Sequence, residues 1–154
     1  MSDEGTSLNE RPRRLNSEEI QRLAEHLSAE ERQILLHQGT EAPFCGNLLD
    51  NHLTGQYICR LCGLPMFSSD DKFNSGTGWP SFTVPVSPEN IQELPDDSHG
   101  MRRVEIRCAR CDGHLGHVFE DGPPPTGRRY CVNSVSLEFV EEGTELPDRL
   151  AELD

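Results

Sequence analysis

Four of the six cysteines fall as two matched pairs, Cys59-Arg60-Leu61-Cys62 and Cys108-Ala109-Arg110-Cys111. Two such hooks, far apart in one chain, supply the four thiolates of a tetrahedral metal site. A site closed by four sulfurs has no open coordination position, so it holds structure and performs no chemistry. Zinc is the expected ion, with iron in the same cage as the alternative. Each knuckle needs backbone freedom after its second cysteine, which Gly63 and the pair Asp112-Gly113 offer. A redox dithiol would need a βαβ context, and no helical pattern follows either hook. A disulfide framework would suit an oxidising compartment, but the chain shows no apolar leader, and a cytoplasmic location is expected.

Any cysteine chemistry then falls to Cys131 and Cys45. Cys131 lies in Arg128-Arg129-Tyr130-Cys131-Val132-Asn133-Ser134, a strand-like segment whose arginines favour a thiolate. Upstream, His114 and His117 stand three residues apart in Gly113-His114-Leu115-Gly116-His117-Val118-Phe119. A thiolate with imidazole and amide neighbours has the ingredients of a nucleophile. The same residue types equally describe a buried thiol with structural histidines. A second metal site on His114 and His117 lacks a further ligand pair. Trp79, the sole tryptophan, ends a glycine-rich loop, Asn74-Ser75-Gly76-Thr77-Gly78-Trp79-Pro80. It reads either as a core anchor or as the wall of a small apolar pocket. Cys45, in Pro43-Phe44-Cys45-Gly46, reads as a spare loop thiol or as a partner for an oxidised Cys131.

The elements that must position these groups are short. The 154 residues suit one domain, and a hydrophobic content of 34% is lean enough for a metal staple to matter. The expected boundaries are a disordered start over residues 1–15, a single domain over 16–141 and an acidic tail over 142–154. Ser17 is expected to cap a first helix carrying Ile20, Leu23 and Leu27. Ser28 with Glu31 forms a capping box for a second helix that stops near Gly39. Beyond them the pattern is β: Tyr57-Ile58, Pro65 to Phe67, Phe82 to Val86, Val104 to Ile106, His117 to Phe119, Tyr130 to Val132 and Val135 to Val140. Residues 76–78, 95–98 and 122–127 read as loops. The net charge of −13 opposes a nucleic-acid or anionic-membrane partner, and no apolar run is long enough to span a bilayer. A monomer is expected.

Taken together, these motifs resemble the methionine-R-sulfoxide reductases of the B type. The likeness covers nearly all of residues 38–140. It runs from Gly39-Thr40-Glu41 through the first hook to Ser75-Gly76-Thr77-Gly78-Trp79-Pro80-Ser81-Phe82. It continues through the second hook and Asp112 to Phe119, and closes on Arg129-Tyr130-Cys131-Val132-Asn133-Ser134. The resemblance implies a mainly β fold of two antiparallel sheets with short helices outside, and a structural zinc far from the active centre. It implies that Cys131 is the nucleophile, that Trp79 packs on the substrate methyl, and that His114, His117 and Asn133 line the sulfoxide pocket. Phe119 would be an apolar wall, and Asp121 and Arg129 further polar positions. The implied substrate is methionine-R-sulfoxide in oxidised peptides or proteins, with thioredoxin as reductant. In one respect the chain departs from the pattern. Many members carry a resolving cysteine inside the glycine-rich loop, where this chain has Thr77. Cys45 is then the expected resolving thiol, and direct recycling of Cys131 by small thiols is the alternative. Two other readings stand beside this one: a non-enzymatic interaction module built on the hooks, and a zinc-stabilised thiol peroxidase.

Overall fold

A computed structural model describes residues 12–40, 48–97, 100 and 102–153. Two short helices, α1 (Ser17–Leu23) and α2 (Ala29–His37), precede a β body. The α1 cap differs from expectation. Asn16, one residue before Ser17, accepts from the Glu19 backbone N–H at 2.8 Å, and the Glu19 side chain accepts from the Asn16 N–H. The capping box needs a three-residue spacing to a glutamate, and Asn16 to Glu19 supplies it. Ser28 and Glu31 form the same box on α2, which ends as Gln38 turns left-handed at φ 59°. Leu23, Ala24, Leu27 and Leu35 are buried and join the core, so these helices are part of the body. Leu15 is buried as well, its N–H donating to the Arg110 carbonyl.

The strands are β1 (Gly55–Cys59), β2 (Pro65–Ser68), β3 (Lys72–Phe73), β4 (Ser81–Phe82), β5 (Ile91–Asp96), β6 (Arg103–Cys108), β7 (His114–Phe119), β8 (Arg129–Val132) and β9 (Leu137–Glu141). The described residues form two antiparallel sheets, one ordered β2-β1-β9 and the other β3-β4-β8-β7-β6-β5. Strand alternation gives each sheet one core face. Phe82, Ile106, Val118, Tyr130 and Val132 from the large sheet meet Tyr57, Phe67 and Leu137 from the small one. Phe67 stacks on Phe82 with centroids 4.4 Å apart, and Tyr57 meets Phe82 edge-on at 5.1 Å.

Two β segments differ from the sequence reading. Pro95 and Asp96, expected in a loop, complete β5. That strand is a sheet edge, where a proline removes no ladder bond. The segment expected as a strand from Phe82 to Val86 pairs only at Ser81–Phe82, and Pro85 cannot donate further along. At the other end, Arg149–Leu153 forms a 3-10 helix at the end of the segment expected as an acidic tail. It is tied to the body by Arg149–Glu138 at 2.6 Å and by Arg22 donating to the Leu153 carbonyl. Among the described residues no helix is long and apolar enough to cross a membrane.

Candidate active site and metal centre

The hooks sit at the turns of two hairpins, β1–β2 of the small sheet and β6–β7 of the large one. Their backbones match bond for bond. Gly63 N–H donates to the Cys59 carbonyl and Asp112 N–H to that of Cys108; Cys59 N–H donates to Leu64 and Cys108 N–H to Gly113. The left-handed position falls on Gly63 (φ 84°) in one knuckle and on Asp112 (φ 66°) in the other. Gly113 is instead small for packing, since a Cβ there would lie 3.2 Å from both the Cys111 sulfur and Leu35.

All four sulfurs are buried and lie within 4.8 Å of one another. Cys59 Sγ is 3.6 Å from Cys111 Sγ, and Cys62 Sγ is 3.5 Å from Cys108 Sγ. A tetrahedron with metal–sulfur bonds of about 2.3 Å has edges near 3.8 Å, so the cluster fits a metal ion. Among the described residues these cysteines are free thiols, not disulfides. Hydrogen bonds from Cys108, Cys111 and Cys62 hold the Cys59 thiol well down, while burial pushes Cys108 and Cys111 well up. Dry packing alone thus opposes four thiolates, and a bound cation would supply the missing charge. Cys59, Cys62, Cys108 and Cys111 could hold such an ion, and it would join one hairpin of each sheet.

On the outer face of the large sheet lies a separate cavity of about 260 Å³. That volume is below the usual range for drug-sized ligands, about 300–1,000 Å³, and suits a single side chain. Cys131, His114, His117, Asn133, Trp79, Phe119 and Arg129 all line it. Register explains the convergence. Cys131 on β8 pairs with His117 on β7, and Arg129 pairs with Phe119. Cross-strand partners point to the same face, so the even-numbered Val118, Tyr130 and Val132 turn inward while their odd-numbered neighbours face the cavity.

His114 breaks this alternation, since three residues along a regular strand reverse the face. A bulge corrects it: Ile106 pairs with Gly116 but Arg107 pairs with His114, so Leu115 is extra on β7. Leu115 goes to the core, and the His114 ring comes to 5.7 Å from that of His117. Bulges commonly re-aim side chains in this way. Gly116 lets the strands close, because a Cβ there would fall 2.0 Å from the Cys131 carbonyl oxygen. Gly116→Ala is therefore expected to lower stability by about 2 kcal/mol or more, and to impair Cys131-dependent activity beyond the loss of folded protein. Thermal melting and activity per folded molecule together check this.

Each histidine leans on a carboxylate. His114 Nδ1 lies 2.7 Å from Glu105 Oε2, and His117 Nε2 lies 2.7 Å from Asp96 Oδ2. Glu105 also accepts two bonds from Arg107 and two contacts from Gln38. Burial pushes the Glu105 carboxyl up, but Arg107 and His114 pull it down by more, so it stays ionised. Burial drives His114 down against the pull of Glu105, and it remains neutral at neutral pH. The shifts run in the same direction because desolvation of the ring outweighs its ion-pair partner.

Arg129 is held between Asp121, which accepts from Nε and Nη2 at 2.9 and 3.0 Å, and the Phe119 ring, 4.4 Å from the guanidinium carbon. Asp121 raises the Arg129 pKa most, and the nearby Cys131 sulfur adds to it. Asp121 is exposed and does not line the cavity; it acts on the site through Arg129. Trp79 is half-buried, lines the cavity and stands outside the core cluster. Its loop is held by the hydroxyls of Ser75, Thr77 and Ser81, and by Val132 N–H donating to the Pro80 carbonyl.

Several lining residues were not singled out from sequence: Thr40, Arg103 and Gly116. The supporting carboxylates Asp96 and Glu105 were also missed. Alternation in Arg103-Val104-Glu105-Ile106-Arg107 marks a polar outer face, but gives no sign of what it meets. Cys45 lies outside the described residues.

Comparison with known proteins places this geometry in context. Residues 27–141 match the SelR domain family. A protein of Xylella fastidiosa (strain M23) named peptide methionine sulfoxide reductase MsrB is 64% identical over 124 residues, 80% of each chain. Its namesake in Caulobacter vibrioides (strain NA1000 / CB15N) is 59% identical over 132 residues, 86% of this chain and 83% of the relative. That of Thioalkalivibrio sulfidiphilus (strain HL-EbGR7) is 53% identical over 130 residues, 84% of this chain and 93% of the relative.

Proposed function

This chain belongs to the SelR domain family, and from that premise we propose that it is a peptide-methionine (R)-S-oxide reductase with Cys131 as nucleophile. The observation that carries the assignment of roles is the single cavity shared by Cys131, His114, His117, Asn133 and Trp79.

A sulfoxide sulfur is a poor electrophile until its oxygen is protonated or strongly hydrogen-bonded. The Asn133 amide, and an imidazole once it has taken up a proton at its cavity-facing nitrogen, are the donors at hand, directly or through water. The Cys131 thiolate attacks the sulfur and takes up the oxygen, and with one proton supplied the products are methionine and a Cys131 sulfenic acid. A second thiol condenses with the sulfenic acid, releasing water and leaving a disulfide. Two thiols of an external dithiol such as thioredoxin then exchange with that disulfide and restore both cysteines. Trp79 and Phe119 offer apolar surface to the methyl group. With the methyl and the oxygen both fixed, only one hand of the sulfoxide leaves the peptide arm directed to solvent, and the family membership identifies that hand as R.

Cys45 is proposed as the resolving thiol. The described chain on either side of it supports this: Thr40 lines the cavity, and Leu48 N–H donates to Ser134 Oγ at 3.3 Å. Leu48 is three residues from Cys45, and Ser134 three from Cys131. Three residues span at most about 11 Å, so the Leu48–Ser134 contact leaves an approach of Cys45 to Cys131 within reach of the chain. Cys45→Ser is expected to reduce one equivalent of sulfoxide at the wild-type rate and then stall with thioredoxin, losing about 10-fold or more in steady turnover. Trapping of the oxidised enzyme checks it: wild type should carry a Cys45–Cys131 disulfide, and the variant a sulfenic acid on Cys131. Undiminished thioredoxin-driven turnover by the variant would remove Cys45 from the cycle. Zinc is the proposed ion of the four-cysteine site, where it would be redox-inert and closed to substrate.

A further inference from the structure

The two cavity histidines are held through different ring nitrogens, and each hold is itself clamped. Behind His114 stands Glu105, buried and fixed by Arg107 at 2.8 and 3.1 Å. Behind His117 stands Asp96, which also accepts from Arg103 at 3.3 Å. Asp96 sits on β5 and reaches across β6 to a ring on β7, so the contact depends on sheet register and not on local sequence. An ionised carboxylate has no proton to donate, so in both pairs the imidazole is the donor.

We propose that Glu105 and Asp96 are positioning residues that fix the two histidines in opposite tautomers. His114 carries its hydrogen on Nδ1 and His117 on Nε2. This inference rests on the sulfoxide-reductase reading and deepens it. Nε2 of His114 and Nδ1 of His117 are then the nitrogens left to meet a ligand or water in the cavity. A ring nitrogen that carries no hydrogen is an acceptor, so a proton delivered to the sulfoxide oxygen first has to be taken up at one of them. The carboxylate behind that ring stabilises the imidazolium formed, and an arginine holds each carboxylate in place, Arg107 for Glu105 and Arg103 for Asp96. A carboxylate that orients a metal-bound imidazole commonly contributes about 10- to 100-fold, and a similar loss is expected here.

Long-range proton–nitrogen NMR of histidine-labelled, metal-loaded wild-type protein reads both tautomers without substrate. The expected spectrum has His114 protonated on Nδ1 and His117 on Nε2. A spectrum with both rings in one tautomer overturns the inference and needs no variant. Glu105→Gln and Asp96→Asn keep the shape but remove the charge. Each is expected to slow methionine formation in a single turnover by about 10- to 100-fold, with its partner ring no longer in one tautomer. Variants as fast as wild type with unchanged ring signals overturn it. Wild-type protein that reduces no sulfoxide would instead overturn the functional reading, and the tautomer spectrum would still stand as a separate result.

Discussion

Cys131→Ser is expected to abolish sulfoxide reduction, with a loss of at least about 10³-fold in the first turnover. The size follows from the chemistry. In the proposed reaction the oxygen leaves methionine by transfer to a thiolate, and a serine hydroxyl is neither ionised at neutral pH nor oxidised by a sulfoxide. Other cavity residues can lower the barrier to that transfer but cannot accept the oxygen. Among the described cysteines Cys131 is also the one that the architecture keeps near water: it is half-buried, on the outer face of β8, opposite His117. The substitution removes no core contact of consequence, so melting temperature and metal content should stay close to wild type. Stoichiometric methionine formation by the variant would reject Cys131 as nucleophile.

The second large effect concerns the hooks. Cys108→Ser is expected to empty the metal site and lower stability by about 4 kcal/mol or more, which at this chain length is about 8–16 °C in Tm. Metal binding is folding free energy wherever the site does not exist in the unfolded chain. Here the four sulfurs come from hairpins in two different sheets, so losing one uncouples the sheets and leaves three buried thiols. Measured metal content and calorimetry check this, and treating wild type with a chelator should reproduce it. A variant of unchanged Tm and full metal content would contradict a structural role. The cluster contributes no residue to the Cys131 cavity, so single-turnover chemistry per folded molecule should fall far less than stability does.

Much of this organisation is written locally. Each hook is a four-residue pattern with its turn residue beside it, and both knuckles fold the same way because that pattern is self-contained. The small cavity also draws on short segments, His114 to Phe119 and Arg129 to Asn133, whose residue types advertise chemistry. What escaped depends on pairing between distant strands. The shared face of His114 and His117 exists only because of the bulge at Leu115, which no propensity encodes. Asp96 looked like loop because Pro95 precedes it, and its meaning emerges only from the position of β5 at the sheet edge, two strands from His117. Glu105 carries an ordinary outward-facing position in its own strand, and becomes buried because Gln38 and Arg107 close over it. The cap at Asn16 shows the same limit on a smaller scale, since two neighbouring polar residues differ only in which one lies three residues before Glu19.

Epimer-resolved chromatography of a peptide carrying racemic methionine sulfoxide, incubated with reduced, metal-loaded protein and excess dithiothreitol, tests the central claim most directly. Complete loss of the R form with the S form untouched, and no loss of either with Cys131→Ser, is the result expected from this site. Persistence of the R form with folded, reduced protein, or equal consumption of both epimers, would contradict it.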